Sequence, residues 1–171
     1  MFNTSELRQA IDQLVDELVR RGIAARITIL GGAAIALAYE STRQSTHDVD
    51  ALVHPEAEVL AAAANVAARL GYPDDWLQNN VRIFLPHHGE IDEMTIASSG
   101  DVRVSVGGPR LLLAMKLKAS RGRGDLDDIR TLVRHLGVST VAEGEEIFEH
   151  YYRDDELSER GRQLLAAALR P

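Results

Sequence analysis

The feature that most constrains this chain is a strand-forming segment that runs straight into a glycine pair and a helix, with two aspartates opening the next strand. Ala25–Leu30 contains Ile27, Thr28 and Ile29 and predicts a strand, Gly31-Gly32 follows directly, and Ala33–Glu40 predicts a short helix. Beyond a polar loop, Val49–Val53 predicts a second strand with Asp48 and Asp50 at its start. Residues at i and i+2 of a strand point to the same side, so these two carboxylates can clamp a hard divalent cation. Mg²⁺ takes oxygen ligands and shares them with substrate phosphates. Adjacent glycines between a strand and a helix let backbone N–H groups approach a phosphate closely. If the two strands are neighbours, the anion cradle and the cation ligands converge, as phosphoryl transfer requires.

The flanking sequence predicts mostly helices. Asn3 followed by Glu6 reads as a capping box at the start of a helix through Leu7, Ile11, Leu14, Val15, Leu18 and Val19. Pro55 opens an alanine-rich helix to Leu70. Val81–Leu85, Ile91–Ala97 and Asp101–Val106 predict three more strands, with His87-His88-Gly89 as a turn. Pro109 sits at the first turn of a helix to about Ser120 that is apolar over most of its surface and is expected to be buried. Asp125 is expected to cap the next helix, whose apolar stripe is Leu126, Ile129, Leu132, Val133 and Leu136. Ser139 or Thr140 caps a further helix to about Tyr152, and Ser158–Leu169 predicts the last. Strands early and helices late predict an α+β (mixed α/β) fold, a small sheet flanked by helices with a helical C-terminal part.

Composition narrows the setting. The chain has 171 residues and no Cys, so one compact domain is expected, disulfides and thiolate metal sites are excluded, and a reducing compartment fits. The N-terminus has no basic region followed by an apolar block, and no apolar run approaches the roughly 20 residues of a membrane span. A cytoplasmic protein without a membrane partner is the expectation. A net charge of −7 argues against non-specific coating of nucleic acid, and no DNA partner is expected. The sign is uneven, however: Arg110, Lys116, Lys118, Arg121 and Arg123 fall in one stretch without an acidic residue. Such a stretch is either a basic patch for a phosphate-rich ligand or a solvated helix face.

Leu30-Gly31-Gly32 with Asp48-Val49-Asp50 resembles the hydrophobic-Gly-[Gly/Ser]…Asp-x-[Asp/Glu] motif of the DNA polymerase β-like nucleotidyltransferases. Leu113-Ala114-Met115-Lys116-Leu117, followed by Asp125-Leu126-Asp127-Asp128-Ile129, resembles the Lys…Asp segment of the AbiEii and MenT-type toxin branch. The resemblance spans residues 25 to 136 and implies a nucleotidyltransferase-like domain over 1–137, with 138–171 as a helical extension packed on it. It implies transfer of a nucleoside monophosphate from an NTP to an acceptor hydroxyl with release of pyrophosphate. In the toxin branch the acceptor is often a tRNA 3′ end, and a cognate antitoxin is an expected partner. Asp48 and Asp50 would hold Mg²⁺, Gly31 and Gly32 would cradle the triphosphate, and Lys116 would neutralise phosphate charge. Asp125 or Asp128 would order that lysine or the acceptor, and Arg43 would reach a phosphate from the loop. The stretch from Gly32 to Asp48 is longer than in the common form of the motif. For the superfamily's third carboxylate, Asp92 and Glu93 are both candidates.

Simpler roles stand beside these. Lys116 either snorkels to solvent or faces a cleft. Asp125 is also a plain N-cap, and Asp128 also fits a wet helix face. His47 is either a phosphate contact or an exposed loop residue. Trp76, with Asn79 and Asn80, is either the wall of a base pocket or core packing. Two rival functions share the motif. One is a small-molecule adenylyltransferase for cationic aminoglycosides, with Glu143, Glu145, Glu146 and Glu149 lining the acceptor site. The other is an inactive nucleotide-binding partner protein.

Overall fold

The computed structural model describes residues 2–39, 48–86, 91–120 and 123–170. Arg43, His47, His87, His88, Arg121 and the Arg123 side chain lie outside the described residues. The fold is α+β, with a five-stranded mixed sheet and seven helices among the described residues. It divides into two compact units, Met1–Arg82 with Glu93–Val106, and Ile83–Asp92 with Gly107–Pro171.

The first unit holds helices α1 (Thr4–Arg20), α2 (Gly31–Ala38) and α3 (Glu56–Leu70). Its strands are β1 (Ala25–Ile29), β2 (Val49–His54), β3 (Leu77–Gln78), β4 (Glu93–Ser99) and β5 (Val102–Gly107). The strand order is β3-β2-β1-β5-β4; β1 runs antiparallel to β2 and parallel to β5, and β2 runs parallel to β3. Alternation sorts the two faces. Ile27, Ile29, Val49, Ala51, Val53, Val102, Val104 and Val106 are buried. Arg26, Thr28, Asp50, Leu52, His54 and Arg103 point the other way and are exposed or half-buried. The Asn3/Glu6 capping box forms as predicted and starts α1. Helix α1 buries Leu7, Ala10, Ile11, Leu14 and Leu18, and packs on α3.

One expectation fails at the sheet edge. Val81–Leu85 is not a strand: Asn80–Phe84 forms a 3₁₀ turn in which only Val81 is buried and Ile83 is 81% exposed. The edge of β2 is instead filled by Leu77–Gln78, where Val49 N–H donates to the Trp76 carbonyl at 2.7 Å. A short apolar run does not say whether a partner strand awaits it. Trp76 is core, 1% exposed, with its indole N–H donating to the Ala63 carbonyl at 2.9 Å, and so does not wall a base pocket.

The second unit is a helical cluster of α4 (Pro109–Ala119), α5 (Arg123–Leu136), α6 (Val141–Tyr151) and α7 (Glu159–Ala168). Helix α4 packs on all three others, which is why Leu111, Leu112, Leu113, Ala114, Met115 and Leu117 are all buried. Each fully buried leucine contributes about 1.5–3 kcal/mol of transfer free energy. Helices α6 and α7 thus cluster with α4 and α5 in the unit formed by Ile83–Asp92 and Gly107–Pro171. Thr140 caps α6 through a second capping box with Glu143, and Ser158 caps α7.

Candidate functional site

In the first unit, β1 and β2 are direct neighbours, so the glycine pair and the aspartates meet at one end of the sheet. Leu30 N–H donates to the Asp50 carbonyl at 2.8 Å, extending the β1–β2 ladder by one step. Gly31 follows at φ +61°, a left-handed conformation that side chains rarely adopt, and opens α2. A β-carbon at Gly31 would stand 3.3 Å from Asp50 Oδ2, so the carboxylate lies directly over the glycine. The helix thus begins at the glycines themselves, two residues earlier than the sequence suggests. Asp48 precedes β2 and alternates onto the same side as Asp50, and both are half-buried.

The donor set suits one kind of ion. Among the described residues no group of three or more His, Cys, Asp or Glu side chains is placed to hold a metal. Two carboxylates at the glycine turn could hold Mg²⁺, which binds through one or two carboxylates and completes its shell with water and phosphate oxygens. They do not match Ca²⁺ or structural Zn²⁺, which need more protein ligands.

The two candidates for a third carboxylate separate. Asp92 lies in the second unit, where it accepts the Tyr151 hydroxyl hydrogen bond and its carbonyl accepts Gly108 N–H at 2.6 Å. Burial, reinforced by the Asp92 carboxylate, pushes the Tyr151 hydroxyl pKa upward, so it stays a donor. Glu93 opens β4 in the first unit and accepts from the Thr28 hydroxyl at 2.8 Å.

In the second unit, Lys116 Nζ lies 2.9 Å from Asp125 Oδ1 and 2.7 Å from Asp128 Oδ2. Lys116, Asp125 and Asp128 are thus brought together, and the lysine is ordered by both carboxylates. Asp125 is not an N-cap: α5 starts at Arg123, so Asp125 lies within its first turn. Asp128 is not on a wet face but only 5% exposed. Spacing Asp125 and Asp128 at i, i+3 was the signal that one helix face carries both. Elsewhere in the basic stretch, Lys118 pairs with Asp155 at 2.8 Å and lies 5.5 Å from the centre of the Tyr152 ring. Both lysines of that stretch are therefore matched by acidic groups.

Of the acidic residues on α6, Glu143 is occupied as a cap, and its carboxyl is held below the usual range by the Ser139 and Thr140 N–H groups. Glu145 pairs with Arg162 at 2.5 Å. Glu146 and Glu149 are exposed.

Among the described residues no helix is long and apolar enough to cross a membrane. No family model matches the chain, and no curated protein and no solved structure matches it.

Proposed function

We propose that the chain is a Mg²⁺-dependent nucleotidyltransferase that moves a nucleoside monophosphate from an NTP to an RNA hydroxyl. The acceptor proposed is a tRNA 3′ end, and the setting is a cytoplasmic toxin held in check by a cognate antitoxin. The observation that carries the chemistry is the Asp50 carboxylate lying over Gly31, with Asp48 two residues away on the same side. A positive-φ glycine at a helix start presents backbone N–H groups to a phosphate without a side chain in the way.

Mg²⁺ bound there would screen the charge of the triphosphate and polarise the P–O bond under attack. The chain's own residues do the rest. Asp48 and Asp50 fix the ion's position, and the Gly31-Gly32 turn orients the phosphates. The acceptor oxygen bonds to the α-phosphorus as the bond from the α-phosphorus to the bridging oxygen breaks. The hydroxyl proton passes to solvent water, and pyrophosphate leaves with the bridging oxygen and its bonding electron pair.

The rival reading is a protein that binds nucleotide without turnover. Incubating purified protein with Mg²⁺, each labelled NTP in turn and total cellular RNA tests both. Label in a tRNA-sized band, lost in Asp48→Ala, supports transfer. NTP binding without label in any acceptor supports the binding protein.

A further inference from the structure

On the accessible sheet face of the first unit, three strands carry basic side chains at one level. Arg26 of β1 is in register with His54 of β2 on one side and Arg103 of β5 on the other, and all three are exposed. Neighbouring strands lie about 4.8 Å apart, so the two arginine side chains leave the sheet side by side. Like charges in register destabilise a sheet. Among the described residues neither Arg26 nor Arg103 enters an ion pair within 4.0 Å. An anion bound across the two side chains would relieve that repulsion.

The next level of the same face supplies hydroxyls. Thr28 and Ser105 are in register there. With Arg26, Arg103 and Glu93 they line a pocket of about 270 Å³. Glu93 already accepts the Thr28 hydroxyl, and Asp101 lines the adjoining cleft with Arg26 and His54. The Thr28 hydroxyl is thereby taken and Ser105 is buried against Thr95, so the two exposed arginines are the donors this face offers to a phosphate oxygen. Arg26 lies four residues before Leu30, the residue bonded to Asp50, which is about 13 Å along β1. A strand of nucleic acid covers that span in a few nucleotides.

We propose that the Arg26–Arg103 level binds a backbone phosphate of the nucleic-acid acceptor, a few nucleotides from the end that meets Asp50. The proposal rests on the nucleotidyl-transfer reading for the identity of that end. It places the acceptor's backbone on the sheet rather than on α4, whose lysines are already matched by Asp125, Asp128 and Asp155.

The test is binding of fluorescent single-stranded RNA oligonucleotides of several sequences to the full chain across a salt series. Wild type is compared with R26Q/R103Q and with Asp50→Asn. On single strands each neutralised phosphate contributes about −0.7 to the log–log salt slope. With one phosphate held at this level, the double arginine variant should therefore show a slope shallower by about 0.7. It should bind every sequence about tenfold or more weakly, with a melting temperature equal to or above wild type because a like-charge contact is gone. NTP binding should be unchanged in that variant. An unchanged salt slope overturns the proposal whether or not the protein transfers nucleotides. Loss of NTP binding with oligonucleotide binding intact overturns it too, because the phosphate held would be the nucleotide's. If wild type transfers nothing while the arginine variant still loses RNA binding, the phosphate site stands and the transfer reading falls. If Asp50→Asn alone abolishes transfer and the arginine variant binds RNA normally, the reverse holds.

Discussion

The Asp50 carboxylate occupies the space into which any side chain at Gly31 would project, with 3.3 Å between Oδ2 and a β-carbon built on the glycine. Gly31→Ala therefore meets two penalties. The left-handed conformation at φ +61° costs a non-glycine residue about 1–2 kcal/mol, and the methyl group pushes the carboxylate aside. Denaturant unfolding should show that loss of stability. NTP binding in the presence of Mg²⁺ should weaken at least tenfold in the fraction that remains folded.

Lys116 joins α4 to α5 through two buried carboxylates. Lys116→Met should destabilise the protein by about 1.5–3 kcal/mol, because it takes away a cation that lies within hydrogen-bonding distance of the buried Asp125 and Asp128 carboxylates. Adding Asp125→Asn and Asp128→Asn should restore a large part of that loss. The mutant cycle is read by urea denaturation. Additive effects of the three substitutions would show that the residues act independently.

Glu17 supplies a pH signature. Its carboxyl is 5% exposed and accepts from Arg20 at 2.9 Å, Arg21 at 2.7 Å and Arg69 at 3.1 Å. The Arg20 hydrogen bond is the largest influence; burial opposes it, Arg21 and Arg69 add to it, and the pKa falls from 4.5 to about 2. A folded pKa below the unfolded value means stability that is fully present above pH 4.5 and lost as pH falls toward 2. Glu17→Gln should cost about 1–3 kcal/mol at neutral pH. Its unfolding free energy should also fall less than that of wild type between pH 5 and pH 3, a window set by linkage. Parallel pH profiles for the two proteins would contradict the assignment.

Tyr151 and Tyr152 fasten the segment Ile83–Asp92 within the second unit, through Asp92 and the Phe84 carbonyl. Tyr151→Phe removes a hydrogen bond to a carboxylate, a loss of about 1.5–3 kcal/mol. Hydrogen exchange at Gly108, whose N–H is bonded to Asp92, should accelerate. Unchanged protection at Gly108 would mean that the tyrosine does not hold the segment.

Much of the fold was legible because its signals are local. The Asn3/Glu6 box, the proline at the head of α4 and the Thr140/Glu143 box each carry their partner within three or four residues. The β1–glycine–α2 junction was legible because a glycine pair after β-branched residues has few alternatives. Val81–Leu85 misled because its composition suits a strand, whereas a strand exists only if a neighbour's edge is vacant. The edge of β2 is taken by Leu77–Gln78. Asp125 and Asp128 misled in a different way. Charged residues on a helix are normally solvated or capping, and the lysine that reaches both carboxylates from α4 lies outside their own helix. The Arg26–Arg103 pair was invisible for the same reason, since 77 positions of chain separate two residues that strand register sets side by side.

The most direct test of nucleotidyl transfer uses two labels on the same NTP, one on the α-phosphate and one on the γ-phosphate, with Mg²⁺ and tRNA. Transfer of a nucleoside monophosphate puts the α-label on the RNA and releases the γ-label as pyrophosphate. Both signals should vanish in Asp50→Asn, whose carboxylate over Gly31 is replaced by a neutral amide of the same shape. A γ-label on the RNA, or an α-label that persists undiminished in Asp50→Asn, would contradict the assignment of Asp48, Asp50 and the glycine turn as the reaction centre.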